Sequence, residues 1–279
     1  MYQQTTIDGQ NLYDQFGAYV TKDGWNGLLA FPPMKAVKQN DWHEENGVDV
    51  DLSAPQLDTR TTDVKMAVVG HGNYQAFFRL WARGGAYHTL SDPTLPRPYE
   101  VRFVGITGLS VCRDLYTFTL QVAEDAPPTL LGGSAPKPSG RPPEGWGLDG
   151  IDLSDFGIRV LKGAAQSLRE APKAKINLLR NISSETGAEY DHEGVTYQLR
   201  EVSLPLLMTD TDSARLWQNY SGLLARLVQA NERRLKSPTH TRELPCYYKQ
   251  MQVQEFFVDT HRMWIRYTLT LVLTDGGYY

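Results

Sequence analysis

The sequence predicts an α+β fold, mostly β, made of two tandem antiparallel β-sandwich or barrel modules, each flanked by one α-helix. Three observations carry this. A Pro- and Gly-rich stretch divides the chain, the segments on either side open on matching motifs, and both close on a strictly alternating strand. The expected boundaries are 1–125 for the first module, 126–147 for the linker and 148–279 for the second module. Residues 126–147, APPTLLGGSAPKPSGRPPEGWG, have no periodic apolar pattern and many helix and ladder breakers. Fully extended, this linker would reach about 70 Å, so its flanking segments need not be neighbours.

The opening Ile7-Asp8-Gly9-Gln10-Asn11-Leu12, leading to Phe16-Gly17, returns as Leu148-Asp149-Gly150-Ile151-Asp152-Leu153, leading to Phe156-Gly157, one residue shorter. In each, Asp-Gly forms a turn ahead of an apolar residue. The alternation of Val64, Met66 and Val68 predicts a strand, followed by a Gly70-His71-Gly72-Asn73 break and a helix near 74–83 carrying Phe77, Leu80 and Trp81. Its counterpart runs Leu204, Leu206, Met208, then Thr209-Asp210-Thr211-Asp212, then a helix near 212–235 with Leu216, Tyr220, Leu223, Leu224, Leu227 and Val228 on one stripe. Each half then carries two strand candidates. The last are Tyr116–Val122 and Tyr267–Leu273, expected to pair antiparallel with their neighbours.

Composition narrows the function. The 279 residues are 41% hydrophobic and 22% charged, which fits a folded chain. The net charge of −4 lacks the broad positive field of a protein that grips phosphates. The charge is uneven: 10 basic and 15 acidic residues in 1–125, against 16 of each in 148–279. Cys112 and Cys246 stand apart with no CxxC, so neither a disulfide framework nor a cysteine zinc site is expected. The start has no signal-like pattern and no apolar run long enough to span a membrane, so a chain that stays in solution is expected, without membrane insertion.

No catalytic constellation emerges, and the expectation is a protein that is not an enzyme and needs no cofactor or metal. The glycines around His71 serve a turn. His43-Glu44-Glu45 and Asp191-His192-Glu193 lack the i, i+4 spacing that would converge metal ligands. Asp8, Asp149 and Asp152 fit turns, and Glu232-Arg233-Arg234-Leu235-Lys236 reads as a solvated helix end. Among the tryptophans, Trp81 and Trp217 fall on apolar helix faces, whereas Trp25 and Trp146, in Gly-rich surroundings, are candidate subunit contacts.

The order of motifs (Asp-Gly lead-in, Phe-Gly, a loop with Pro32-Pro33-Met34-Lys35 or Ala171-Pro172-Lys173, an Asn46-Gly47 or Thr186-Gly187 turn, a strand after Arg60 or Arg200, one helix and a closing strand) resembles the tail-tube type module of long-tailed phages. The resemblance is closest to the N-terminal domain of distal tail proteins. The tandem copy departs from a single ring module and is similar to fused hub proteins of the baseplate. The resemblance implies a virion structural protein, made and assembled in the bacterial host cytoplasm and ending in the virion tail. Its expected partners are other copies of itself, as a homotrimer or else a hexamer, and other tail proteins, with DNA passing through the ring without specific binding. Thr117, Thr119, Thr268 and Thr270, on the polar faces of the closing strands, are then candidate lumen-facing residues. A carbohydrate-binding or adhesin β-sandwich for host attachment is the alternative.

Overall fold

The computed structural model describes residues 4–83, 85–128, 135–175, 179–184, 186–190, 194–259 and 262–275. In the first module the Asp-Gly pair takes the left-handed conformation at both positions, with φ 51° at Asp8 and 79° at Gly9. This is what a two-residue hairpin between β1 (Thr6–Ile7) and β2 (Gln10–Asn11) requires. The Asn11 side chain caps α1 (Leu12–Phe16), accepting from the N–H groups of Tyr13 and Asp14, and Gly17 ends that helix in the left-handed region. There follow β3 (Ala18–Val20), a short α2 (Asn26–Leu29), the small hairpin β4 (Gln39–Asn40) and β5 (Asp49–Val50), and the long β6 (Arg60–Val69). The module is completed by α3 (His71–Trp81), β7 (Tyr87–Ser91), β8 (Tyr99–Cys112) and β9 (Leu115–Glu124).

The second module repeats this order: β10 (Gly147–Leu148), β11 (Ile151–Asp152), a 3-10 turn at Leu153–Phe156, β12 (Ile158–Val160), α4 (Ala164–Arg169), β13 (Leu179–Arg180) and β14 (Glu189–Tyr190). Then come β15 (Arg200–Asp210), α5 (Ser213–Leu227), β16 (Arg233–Lys236), β17 (Leu244–Asp259) and β18 (Arg262–Leu273). Each module holds one seven-stranded antiparallel sheet. The strand orders, β2-β1-β7-β8-β9-β6-β3 and β11-β10-β16-β17-β18-β15-β12, are the same. The mostly β, two-module α+β class expected from the sequence is what the chain adopts.

Correspondence extends to single hydrogen bonds. Val69 N–H donates to Gly17 and Thr209 N–H to Gly157. Isolated bridges join Met34 to Leu57 and Ala174 to Tyr197. One constant interval of numbering separates all these pairs, and Arg60 from Arg200. Both β8 and β17 shift register at one matching place, between Phe103 and Gly105 and between Tyr248 and Gln250. The closing strands are equivalent in a different register from the one their sequences suggest. Arg60 faces Glu124 and Arg200 faces Leu273, so Thr119 corresponds to Thr268 and Thr117 to Arg266. The slip is two residues, and because strand faces alternate with period two the apolar and polar faces still agree.

One further expectation is corrected. The α5 helix ends at Leu227, and Arg233–Lys236 is a strand rather than a solvated helix end. Leu235 is buried there, and buried Arg233 is held by Asp149 at 3.1 Å and by the carbonyls of Ala230 and Asn231. Within the linker, Lys137 and Ser139 are bonded to the second module. Asn219 accepts from the N–H of Lys137 and donates to its carbonyl, at 2.7 and 2.9 Å, and Ser139 donates to the Ser154 carbonyl.

Candidate functional site

Among the described residues no three His, Cys, Asp or Glu side chains converge as a metal site would require; the most built polar and apolar surface lies where the modules meet. Residues 31–58 leave the first module as an arm and pack on the second. At its root Phe31 sits against Tyr220 of α5, ring centroids 4.4 Å apart, and against Tyr248 of β17 at 6.5 Å. The Tyr248 hydroxyl donates toward the carbonyls of Phe31 and Pro32, at 3.3 and 3.0 Å. Burial pushes the hydroxyl pKa values of Tyr220 and Tyr248 upward, so both stay neutral in this dry seam. The buried core runs through both modules as one cluster across it.

Beyond the root the arm behaves as an added edge. Met34 N–H donates to the Lys249 carbonyl at 2.9 Å, at the register shift of β17 where the ladder with β18 leaves that group free. The Asn26 carboxamide, on α2, donates to the Gln254 carbonyl at 2.7 Å. At the tip, Val48 N–H donates to Thr274, Gly47 N–H donates to Tyr197, and Leu52 accepts from Asn231 N–H. Gly47, at φ 74°, lies so close to Thr274 that an added Cβ would fall 1.9 Å from its carbonyl oxygen. The buried ammonium of Lys175 closes the joint. It donates to the carbonyls of Trp42 and Glu45 at 2.6 and 2.7 Å and pairs with Asp41 at 2.7 Å. These are charge-assisted contacts between a buried ammonium and partners that stay exposed.

The polar sheet faces adjoin across this joint. Asp63, Lys65 and Gln121 of the first sheet and Gln250 and Gln252 of the second line one groove. Thr117, Thr119, Thr268 and Thr270 are all half-buried on these faces, with Phe118, Leu120, Leu269 and Leu271 buried opposite. Thr119 sits between Lys65 and Thr107, and Thr268 between Pro205 and Gln252. The equivalent pair among the four is Thr119 and Thr268. Away from the joint, the β8–β9 and β17–β18 hairpins expose Leu109 and Val111, and Phe257 and Val258.

The remaining candidates fall into structural places. Trp25 is half-buried against the core just before α2, the helix that abuts β17. Trp146 is 7% exposed and packs in the core, its backbone carbonyl accepting from Leu153 N–H, so its ring is not displayed as its glycine neighbours suggested. His71 opens α3 and bonds Tyr116 at 2.7 Å and Gln75 at 2.8 Å. His43 and Glu45 contribute backbone carbonyls to the arm tip, accepting from Thr196 and Lys175. Asp191, His192 and Glu193 lie outside the described residues. Asp8 and Asp149 each bond a backbone N–H and a cationic or imidazole side chain of the adjacent strand: Thr89 and His88 in one, Arg234 and Arg233 in the other. Residue-type reasoning missed Phe31, Lys175 and Tyr248. The traces of the arm were the Pro-containing loops and the Asn46-Gly47 and Thr186-Gly187 turns at matching positions.

No family model and no curated protein matches the chain. Among solved structures it is similar to the crystal structure of the Dit protein of SPP1, titled a paradigm of hub adsorption apparatus in phages infecting Gram-positive hosts. Identity is 12%, over 96% of this chain and 97% of that one, with a TM-score of 0.33. Similarity at that level supports no conclusion about this chain, whose reading rests on its own residues and geometry.

Proposed function

We propose that this chain is a structural, non-enzymatic subunit of a phage or phage-like tail, a distal tail or hub protein whose copies close into a ring around a DNA channel. The observation that carries the reading is the side-by-side joint. Two modules of one topology meet through an arm so that their polar faces line a common groove, and repeating such a contact around an axis would build a ring. The tail assignment itself rests on the order of sequence motifs. The groove mixes Asp63 and Lys65 with neutral Gln side chains, which suits a wall that lets a polyanion pass without holding it. We assign the exposed hairpin tips with Leu109, Val111, Phe257 and Val258 to contacts with other tail proteins along the axis. A tandem duplication of one module accounts for the shared topology, and three chains then supply six modules alternating about a pseudo-sixfold axis.

Native mass spectrometry of the purified protein, followed by particle reconstruction, tests this. The expected result is a closed homotrimer with the threonine-bearing faces inward, or a hexamer if only one module of each chain joins the ring. An open assembly, or a ring with Thr119 and Thr268 on its outer wall, overturns it.

A further inference from the structure

The first arm is seated on the second module, but among the described residues no hydrogen bond seats the second arm on the sheet of the first, although both halves of that joint exist. In the second arm the bonds from Lys175 N–H to Thr196 and from Gln198 N–H to Lys173 repeat those from Lys35 N–H to Gln56 and from Asp58 N–H to Pro33, all at 2.8 Å. This geometry turns the N–H of Ala174 outward just as it turns that of Met34, and Ala171, Lys173 and Ala174 are exposed. On the first module, the place matching Lys249 is Val104, at the same register shift and 44% exposed. The place matching the Tyr220–Tyr248 seat is Phe78 and Phe103, rings 6.3 Å apart. Phe78 and Tyr220 are each the eighth residue of their helices, and Phe78 is 41% exposed. Lys35, which matches the buried Lys175, is exposed.

We propose that the strip formed by Phe78, Phe103, Val104 and Lys35 on the first module receives the second arm of another copy of this chain, Ala174 N–H donating to the Val104 carbonyl as Met34 does to Lys249. Charge favours this pairing over like with like. The exposed root of the second arm carries Lys162, Arg169 and Lys173 with Glu170, a net positive charge, while residues 1–125 hold five more acidic than basic side chains. The contact is heterologous, head to tail, so it propagates from chain to chain and either closes or runs on. Ala171 stands where Phe31 stands in the first arm, so the contact between chains lacks the anchoring ring and is the weaker of the two joints. The inference rests on the ring reading only for closure and copy number; the contact itself stands on the equivalence of the two halves.

Disulfide capture tests it, in chains carrying Cys112→Ser to remove the exposed native thiol. Met34→Cys with Lys249→Cys in one chain calibrates the geometry and should close within the chain. An Ala174→Cys chain mixed with a Val104→Cys chain should give a mixed dimer under mild oxidation, about tenfold or more faster than with Val111→Cys, a more exposed position away from the strip. Equal rates at Val104 and Val111, with the calibrating pair closing normally, overturn the inference. The mass of the unmodified assembly separates the two claims. A closed ring without the mixed disulfide rejects this joint and keeps the ring, and a mixed disulfide from an open filament does the reverse.

Discussion

The two modules share a backbone to the level of single hydrogen bonds, yet they solve the same burial problem with different side chains. Arg60 and Arg200 each begin the strand beside α2 or α4 and donate to a carbonyl there, Leu28 or Leu168, at 2.8 and 2.9 Å. In the first module Glu124 faces Arg60, buried and ion-paired at 2.8 Å, and also binds Arg97. Arg97 in turn lies over the Tyr99 ring, 4.1 Å from its centroid. In the second module Leu273 occupies the place of Glu124, and desolvation lowers the pKa of Arg200. The comparison teaches that the scaffold is held by its ladders and turns, while the buried ion pairs, Arg60–Glu124 in one module and Arg233–Asp149 in the other, are local choices.

Breaking that difference should have the largest effect. Arg60→Met leaves Glu124 buried with only the half-exposed Arg97 and should cost about 3 kcal/mol in urea unfolding, whereas Arg200→Met, which strands no carboxylate, should cost about 1 kcal/mol. Equal losses would show that the two arginines do the same work. Phe31→Ala empties the seat between Tyr220 and Tyr248 and should cost about 3 kcal/mol, with increased proteolysis within 31–58.

Smaller changes sharpen the contrast between the arms. Gly47→Ala drives a Cβ into Thr274 and should lower stability by about 2 kcal/mol. Gly187→Ala, with open space around it and only φ strain at 98°, should cost about 1 kcal/mol. Acid should bear on the second module through Asp210, a site where the first has Gly70. Desolvation works against the Asp210 charge, but Arg215 at 2.6 Å and the N–H groups of Thr211 and Asp212 prevail, and its pKa lies below the ordinary 3.8. Its stabilisation is therefore full above about pH 4 and lost as pH falls through the folded value, and Asp210→Asn should flatten that limb of a stability–pH curve. Least of all, Tyr267→Phe should be neutral or stabilise by about 1 kcal/mol. The Tyr267 hydroxyl is buried with no hydrogen-bond partner among the described residues, and its counterpart is Phe118.

Local chemistry was enough to determine the two-module α+β class, the left-handed Asp-Gly turns, the helix faces and the alternation of the closing strands, because each is written in neighbouring residues. The α5 boundary was not legible. The stripe of Leu224, Leu227 and Val228 runs on into a basic stretch whose strand pairing with Leu244–Cys246 appears only in the sheet. The two-residue slip between closing strands was equally hidden, since period-two patterns match at any even offset. Trp146 looked displayed by its glycines, and only packing turned it inward. The joint was beyond sequence reasoning altogether. Lys175 gains its meaning from carbonyls of residues 42 and 45, and Val104 from a bond made at Lys249, contacts between distant segments that only the tertiary structure brings within reach.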